Sequence, residues 1–309
     1  KIMKKRIQFS KAFVPAAILS FVVIVVGIIN ICTRGINFSI DFKPGYIEEV
    51  KISSNPSVED VRAALSGVSG VAVKMVGTGE ALAYQIRVGE DKSNEAIIDT
   101  INAALEKAYP DGSVTVLKTD FIGNQLSHSL AFQSVLLLVG TMLCIWIYSS
   151  IRFRWDFALG AIIALIHDSL IMFSFLAIFQ VEFSTTSIAA VLTIIGYSIN
   201  DTVVILDRVR ENIQTLEVKN FKEVIDQSLS DTLSRSIITT VTTLFAVVSL
   251  YVFTSGTIHD FAWALIIGLL SGCYSSVFIS SGFISFVRKN WKPEFGLHAF
   301  TKPEPKTDF

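Results

Sequence analysis

Six apolar stretches, each about twenty residues long, recur along the chain, and that length is what an α-helix needs to cross a ~30 Å hydrocarbon layer. They run over residues 12–31, 130–149, 157–179, 185–206, 236–253 and 261–287. Between the first two the pattern changes. Short alternating runs at Tyr46–Ile52, Val71–Val76, Ala81–Val88 and Ser113–Lys118 predict strands. A helix is expected after the capping box Ser57-Val58-Glu59-Asp60, and another over Ser93–Tyr109.

The βαββαβ order within residues 32–129 is that of a ferredoxin-like split unit. The predicted fold class is therefore an α-helical polytopic membrane protein with six transmembrane helices and a small α+β, ferredoxin-like extracytoplasmic domain. Composition agrees: of 309 residues 51% are hydrophobic and only 17% charged, and the mean hydropathy is +0.56, too apolar for an ordinary soluble protein.

Charge gives the orientation. Lys1, Lys4, Lys5, Arg6 and Lys11 precede the first span without an acid, so residues 1–11 are expected in the cytoplasm. Six crossings return residues 288–309, with Arg288, Lys289 and Lys292, to the same side. Arg152 and Arg154 place the loop after the second span there too, as does 207–235 with its polar helix pattern from Lys219 to Asp231, read as a hairpin lying along the membrane with a solvated charged face. The insert after the first span carries 13 acidic against 9 basic residues, as suits a translocated segment. A net charge of −1 argues against nucleic acid as a partner. The first apolar run exceeds a signal-peptide core and no small-x-small site follows, while the bulky Ile31 before Cys32 argues against lipid processing. Cys32, Cys144 and Cys273 lack metal or redox spacing and are read as packing residues, so no metal and no cofactor are expected.

Chemistry concentrates in the spans. Asn200 and Asp201 lie inside the fourth apolar run, in GYSINDTVVILDRVREN, and a carboxylate there costs about 2.5 to 3.5 kcal/mol on insertion scales. Asp201 either serves a function or caps a kink or bonds a neighbouring helix; the first reading is favoured because intramembrane acids are rare. Tyr197 stands one turn away on the same face. His167 and Asp168 occupy the middle of the third span, the histidine as a packing residue or a proton carrier; neighbours on a helix diverge by about 100°, so they cannot both face one partner squarely. Arg235 opens the fifth span, followed by Thr239, Thr242 and Thr243 on one stripe, and it stands at a depth comparable to Asp201, which makes an ion pair geometrically feasible. Its other reading is a positive-inside anchor that snorkels to the headgroups. Asp207, near the membrane edge, stays open. In the sixth span Ala264, Gly268, Gly272, Ser276 and Ser280 recur every four residues, a ridge for close helix packing. Asp41 in GINFSIDFKPG is read as a turn residue bonding its own backbone or as a binding group, and Phe38, Ile40 and Phe42 as packing residues.

Taken together, GINFSIDFKPG, the HD pair, GYSINDTVVILDRVREN, LSRSIITTVTT and FAWALIIGLLSGCYSSVFIS resemble the SecF-type protein-export membrane proteins of the RND superfamily, in order and spacing over residues 10–287. The resemblance implies a six-span subunit of a bacterial cytoplasmic (inner) membrane. Such a subunit pairs with a SecD-like partner and assists the SecYEG translocon, using the proton-motive force to draw out a preprotein driven by SecA. It also implies that Asp201 and Arg235 serve proton conduction, to which the reading of the residues themselves adds Asn200, Asp168, His167, Thr239 and Thr243 as further relay candidates. Where that family has GIDFTGG, this chain places Lys43 and Pro44 for Thr-Gly. Two other classes stay in view: an RND-type half-transporter exporting a small molecule or lipid, which needs a partner for its second half, and a passive scaffold, for which two intramembrane acids are unexplained. An enzyme is disfavoured, since neither a GxSG-like serine nor an HExxH zinc motif is present.

Overall fold

The computed structural model describes residues 7–39, 41–43, 45–68, 70–77, 82–89, 95–110, 113–216, 218, 220–254 and 257–291. Lys1, Lys4, Lys5, Arg6, Ile40, Pro44, Lys219 and Lys292 lie outside them. In chain order the elements are α1 (Phe13–Arg34), β1 (Gly45–Ile52), α2 (Val58–Ala64), β2 (Val71–Val76), β3 (Ala83–Gly89), α3 (Glu95–Ala108) and β4 (Val114–Ile122). Then come α4 (Asn124–Arg152), α5 (Trp155–Phe179), α6 (Thr185–Thr215), α7 (Phe221–Phe253), α8 (Thr257–Ser275), a π-helical turn (Ser276–Ser280) and α9 (Ser281–Val287). Six helical runs are long and apolar enough to cross a membrane: α1, α4, α5, α6, α7 and the continuous Ile258–Val287.

Three of these runs form the centre of the bundle. About half of the most apolar window is buried in α5 (56%), α6 (44%) and the sixth run (56%), against 11%, 6% and 11% in α1, α4 and α7, which therefore lie outside. Small residues let the central helices meet at backbone distance. A Cβ on Gly268 would lie 2.3 Å from Cγ1 of Ile194, and one on Gly272 3.2 Å from Cβ of Ser198. One turn on, Ser276 Oγ and Thr202 Oγ1 are 2.8 Å apart. Residues 194, 198 and 202 of α6 thus mesh with 268, 272 and 276 of the sixth run, a fourfold ridge on each helix. Similarly, Gly27 brings α1 onto α5, where an added Cβ would stand 2.1 Å from Ser174 Oγ and 2.6 Å from its Cα.

The insert folds as a four-stranded antiparallel sheet in the order β2-β3-β1-β4. One face is closed by α2 and α3 around Val50, Ile52, Val61, Leu65, Tyr84, Ile86, Ile101 and Leu105. The Ser57–Asp60 capping box starts α2, its serine Oγ accepting the Asp60 amide at 3.2 Å. The other face meets the loops of the helix bundle through ion pairs. Lys74 on β2 reaches Asp260 at 2.7 Å and Glu182 at 3.6 Å, and Arg87 on β3 reaches Glu182 at 3.2 Å. Asp41 does not bond its own backbone: its Oδ2 accepts from Thr185 N and Oγ1, both at 2.8 Å, and so caps α6. Phe38 and Phe42 pack on Phe183, and Lys43 rests over the Phe38 ring at 5.9 Å.

Three expectations change. The polar segment after residue 206 is no separate hairpin along the membrane: α6 runs on to Thr215, and α7 starts at Phe221 and passes unbroken through Arg235. Its charges are paired, not merely solvated, with Arg208 Nη2 at 2.6 Å from Asp231 and Asn212 Nδ2 donating to Ser228 at 2.9 Å. Val209, Ile213, Phe221, Val224, Ile225 and Leu229 form a core beneath them, which packs the two helices together beyond the apolar stretch. Ser10 docks there as well, donating from N and Oγ to Asp226 at 2.8 Å. Cys32 and Cys144 are exposed and do not pack; only Cys273 is partly enclosed.

Two consequences are testable. Gly27→Ala must push α1 from α5, since the obstacle includes backbone; the loss should be about 1–3 kcal/mol, read as a lower thermal unfolding midpoint. The second concerns Glu48, buried on β1 with Oε1 accepting from Asn102 Nδ2 at 3.1 Å while its Oε2 and Asn102 Oδ1 lack partners. Burial raises its carboxyl above the ordinary 4.5, against the opposing bonds from Asn102 and Thr119. A folded state that holds the proton more tightly than the unfolded one pays nothing below pH 4.5 and loses stability as pH rises through the folded value. Glu48→Gln should therefore slow β1 amide exchange at neutral pH, with the gain vanishing in acid.

Candidate proton-coupling site

Asp201 sits on α6 where that helix faces α7. Its Oδ1 accepts from Ser236 Oγ at 2.6 Å, while Oδ2 is shut away from solvent and has no partner. The expected partner, Arg235, is the preceding residue on α7. Its side chain is exposed, and no ion pair joins it to Asp201 among the described residues. Depth along the span is matched as anticipated, but α7 turns residue 236 toward α6, and its neighbour points about 100° away. Arg235 nonetheless lies within electrostatic reach of the carboxyl.

A cavity of about 200 Å³ opens beside Asp201. Asn200 and Tyr197 line it from α6, Thr239, Thr240, Thr242 and Thr243 from α7, and Gly268, Gly272 and Cys273 from α8. The threonine stripe does not bind another helix. Thr239 donates to Arg235 O at 3.0 Å, Thr242 to Ile238 O at 2.9 Å and Thr243 to Thr239 O at 3.0 Å. Each hydroxyl proton is spent within α7, which leaves the oxygen lone pairs as acceptors toward the cavity. Gly268 and Gly272, expected as packing residues, also line it.

Asp168 lies deeper, fully buried on α5 (0% exposed). Its Oδ1 accepts from Ser271 at 2.7 Å, and its Oδ2 from Ser198 at 2.6 Å and Ser275 at 2.8 Å. His167 Nδ1 lies 3.2 Å from Oδ1, and Nε2 is 2.9 Å from Ser20 Oγ on α1. The helical divergence of neighbours holds: His167 reaches α1, Asp168 reaches α6 and α8, and the two still touch. Ser198 belongs to both centres, bonding Asp168 while lining the Asp201 cavity. Ser198, Ser236, Ser271 and Ser275 were not anticipated. The i, i+4 pair Ser271/Ser275 flanking the glycine ridge was the available signal for two of them. Asp207 forms a bond to Arg152 Nη2 at 3.0 and 3.1 Å and stays apart from the cavity.

Fold and site together define a multi-pass membrane protein that keeps two acids inside its helix bundle. Residues 100–290 match the family model "Protein export membrane protein SecD/SecF, C-terminal", and the chain belongs to that SecD/SecF family. It is 41% identical over 259 residues to the protein translocase subunit SecF of Treponema pallidum (strain Nichols), a match covering 76% of this chain and 62% of that one. It is 35% identical over 286 residues to the SecF subunit of Rickettsia akari (strain Hartford), covering 91% and 92%. Among solved structures it resembles SecDF, a translocon-associated membrane protein from Thermus thermophilus, with a TM-score of 0.81 and 27% identity. That likeness covers 94% of this chain and 40% of the longer SecDF chain.

The threonine geometry predicts a wet cavity. Replacing Thr239 and Thr243 together by Val removes acceptors without breaking an interhelical bond, so the helix should keep its stability within about 0.5 kcal/mol. Cys273, which faces the same cavity from α8, should then react more slowly with a water-soluble thiol reagent in a Cys32→Ser, Cys144→Ser background; an unchanged rate would show the stripe does not hold water there.

Proposed function

We propose that this chain is a SecF-like accessory subunit of the Sec translocon that pairs with a SecD-like subunit and uses the proton-motive force to promote protein translocation across the cytoplasmic membrane. In this reading the sheet is a ferredoxin-like extracytoplasmic domain near the emerging preprotein, SecYEG and SecA supply the channel and the motor, and both chain ends face the cytoplasm.

One observation carries the proposal: the half-bonded Asp201 beside an outward polar face. Tyr197 (47% exposed), Asn200, Arg235, Thr239 and Thr242 are uncovered on α6 and α7 within the apolar spans. Hydrocarbon does not accept such a face, so a second set of helices must cover it. The resemblance to 40% of a longer SecDF chain supports a SecD-like subunit in that place. A proton arriving through the cavity would be taken up by Asp201, whose Oδ2 has no donor, and neutralise the acid. Rotation of α7 that brings Arg235 inward would favour the charged form and expel it. One charge crossing 100 mV releases about 2.3 kcal/mol, enough to bias two helix arrangements more than tenfold.

Asp201→Asn in the assembled translocon should leave membrane insertion and assembly intact and abolish the stimulation of export by a proton gradient in vesicles. Normal stimulation with normal proton flux in that variant would sink the assignment.

A further inference from the structure

The protons around His167 can be counted one by one, because each hydroxyl owns a single hydrogen. Tyr274 OH donates to the carbonyl of Ala16 at 2.6 Å, and a carbonyl only accepts. Its hydrogen is thereby used, so in the 3.1 Å contact between Ser20 Oγ and Tyr274 OH the serine is the donor. Ser20 then has nothing left to give His167, and the 2.9 Å contact with Nε2 requires an N–H on that nitrogen. On the other side of the ring, Nδ1 lies 3.2 Å from Asp168 Oδ1. Bare lone pairs cannot face each other there, so one further proton sits between ring and carboxyl. Ser271, Ser198 and Ser275 already donate to Asp168, a set that favours the carboxylate and leaves that proton on the ring.

We propose that His167 and Asp168 form a second proton-binding site, whose occupancy decides whether the Ser20 hydroxyl serves Tyr274 or His167. With the proton bound, the ring is an imidazolium, Nδ1–H donates to Asp168, Nε2–H donates to Ser20, and Ser20 ties α1 to Tyr274 on α8. When one proton leaves, it passes from Nε2 to the aqueous medium, and Nε2 keeps the electron pair and becomes an acceptor. Nδ1–H stays on Asp168, Ser20 swings its hydrogen onto Nε2, and Tyr274 loses its donor. No covalent bond other than N–H changes. The release of one proton thus removes one tie between the first and sixth spans.

Of the titratable groups on α8 and α6, those on the side of this pair are Tyr274 and Cys273 of α8 and Tyr197 and Asp201 of α6. Tyr274 stacks on the His167 ring at 6.0 Å, and its hydrogen-bonded link to the pair runs through Ser20. Cys273 and Asp201 line the cavity that Ser198 shares. From α1 the facing group is Ser20, and among the described residues no lysine or arginine bonds either side chain. Among the described residues Ser198 is the one hydroxyl that both bonds Asp168 and borders the Asp201 cavity, which places it between the two acids. In its use, though not in its binding of a proton, this inference rests on the proton-coupled reading above.

Nitrogen-15 NMR of the full chain, histidine-labelled and reconstituted in lipid bilayers, tests it; His167→Gln identifies the relevant signal among the four histidines. As pH rises, the His167 ring should pass from both nitrogens protonated to the Nδ1–H tautomer, the reverse of the Nε2–H form that free histidine prefers. Tyr274→Phe removes the acceptor that competes for Ser20, so at fixed pH the ratio of deprotonated to protonated ring should rise roughly fivefold, the worth of one hydrogen bond. Asp168→Asn removes the anion and should abolish the doubly protonated form. A ring that stays in one form throughout, a neutral form carrying Nε2–H, or an unchanged ratio in Tyr274→Phe would each overturn the proposal. None of these readouts involves export. Their failure leaves the Asp201 assignment standing, and normal export in Asp201→Asn would leave the ring titration standing.

Discussion

A carboxylate at the centre of a helix bundle has to be satisfied by the groups the bundle brings to it, because hydrocarbon offers it no hydrogen bond. Asp168 meets that demand with three serine hydroxyls and an imidazole drawn from α5, α6 and α8. Serine is short. Its hydroxyl reaches a neighbouring helix only where the backbones nearly touch, and the Gly268 and Gly272 contacts on Ile194 and Ser198 supply that approach. The ridge and the buried acid are therefore one requirement: widen the α6–α8 spacing and Ser198 and Ser275 no longer reach one oxygen.

The two intramembrane acids differ in how completely they are bonded, and the difference follows from the helices around them. Asp168 faces the glycine ridge, where both its oxygens are engaged. Asp201 lies one helical turn past Ser198, where α6 turns toward the outer helix α7. There a single hydroxyl reaches it, and the remaining space becomes the cavity. A saturated acid resists a change of partner, whereas a half-bonded one beside acceptors and space for water is open to it. This asymmetry, within one helical turn of α6, is what makes the pair more than two buried charges.

Much of this was legible in the chain and some was not. Apolar length revealed the six spans, and the Ser57–Asp60 box and strand alternation revealed the elements of the insert, because those signals are local. Depth was legible too, since a residue's position along a span fixes its height. Azimuth was not: nothing within a few residues of Arg235 tells that α7 presents Ser236 to Asp201. The donors to Asp168 lie 30, 103 and 107 residues away in sequence, so only tertiary packing assembles them. The polar run after residue 206 read as a surface hairpin because its charges outnumber its apolar positions. Arg208–Asp231 and Asn212–Ser228 turn that same polarity inward between two helices.

The sheet is fastened where the central helices begin. Lys74 and Arg87 hold Glu182, just before α6, and Lys74 also holds Asp260 near the start of α8, while Asp41 caps the first turn of α6. These are the two helices whose fourfold ridges enclose Asp168 and border the Asp201 cavity. Lys74 contacts both ends at once, so sliding of α6 against α8 pulls on its ion pairs and through them on the strand. A rigid four-stranded sheet cannot absorb that displacement internally, because its hydrogen-bonded register fixes β2 to β3 and β3 to β1. Rearrangement at the buried acids would therefore reach the sheet as a rigid-body tilt, through contacts that sit at helix termini where small rotations are converted into the largest displacements.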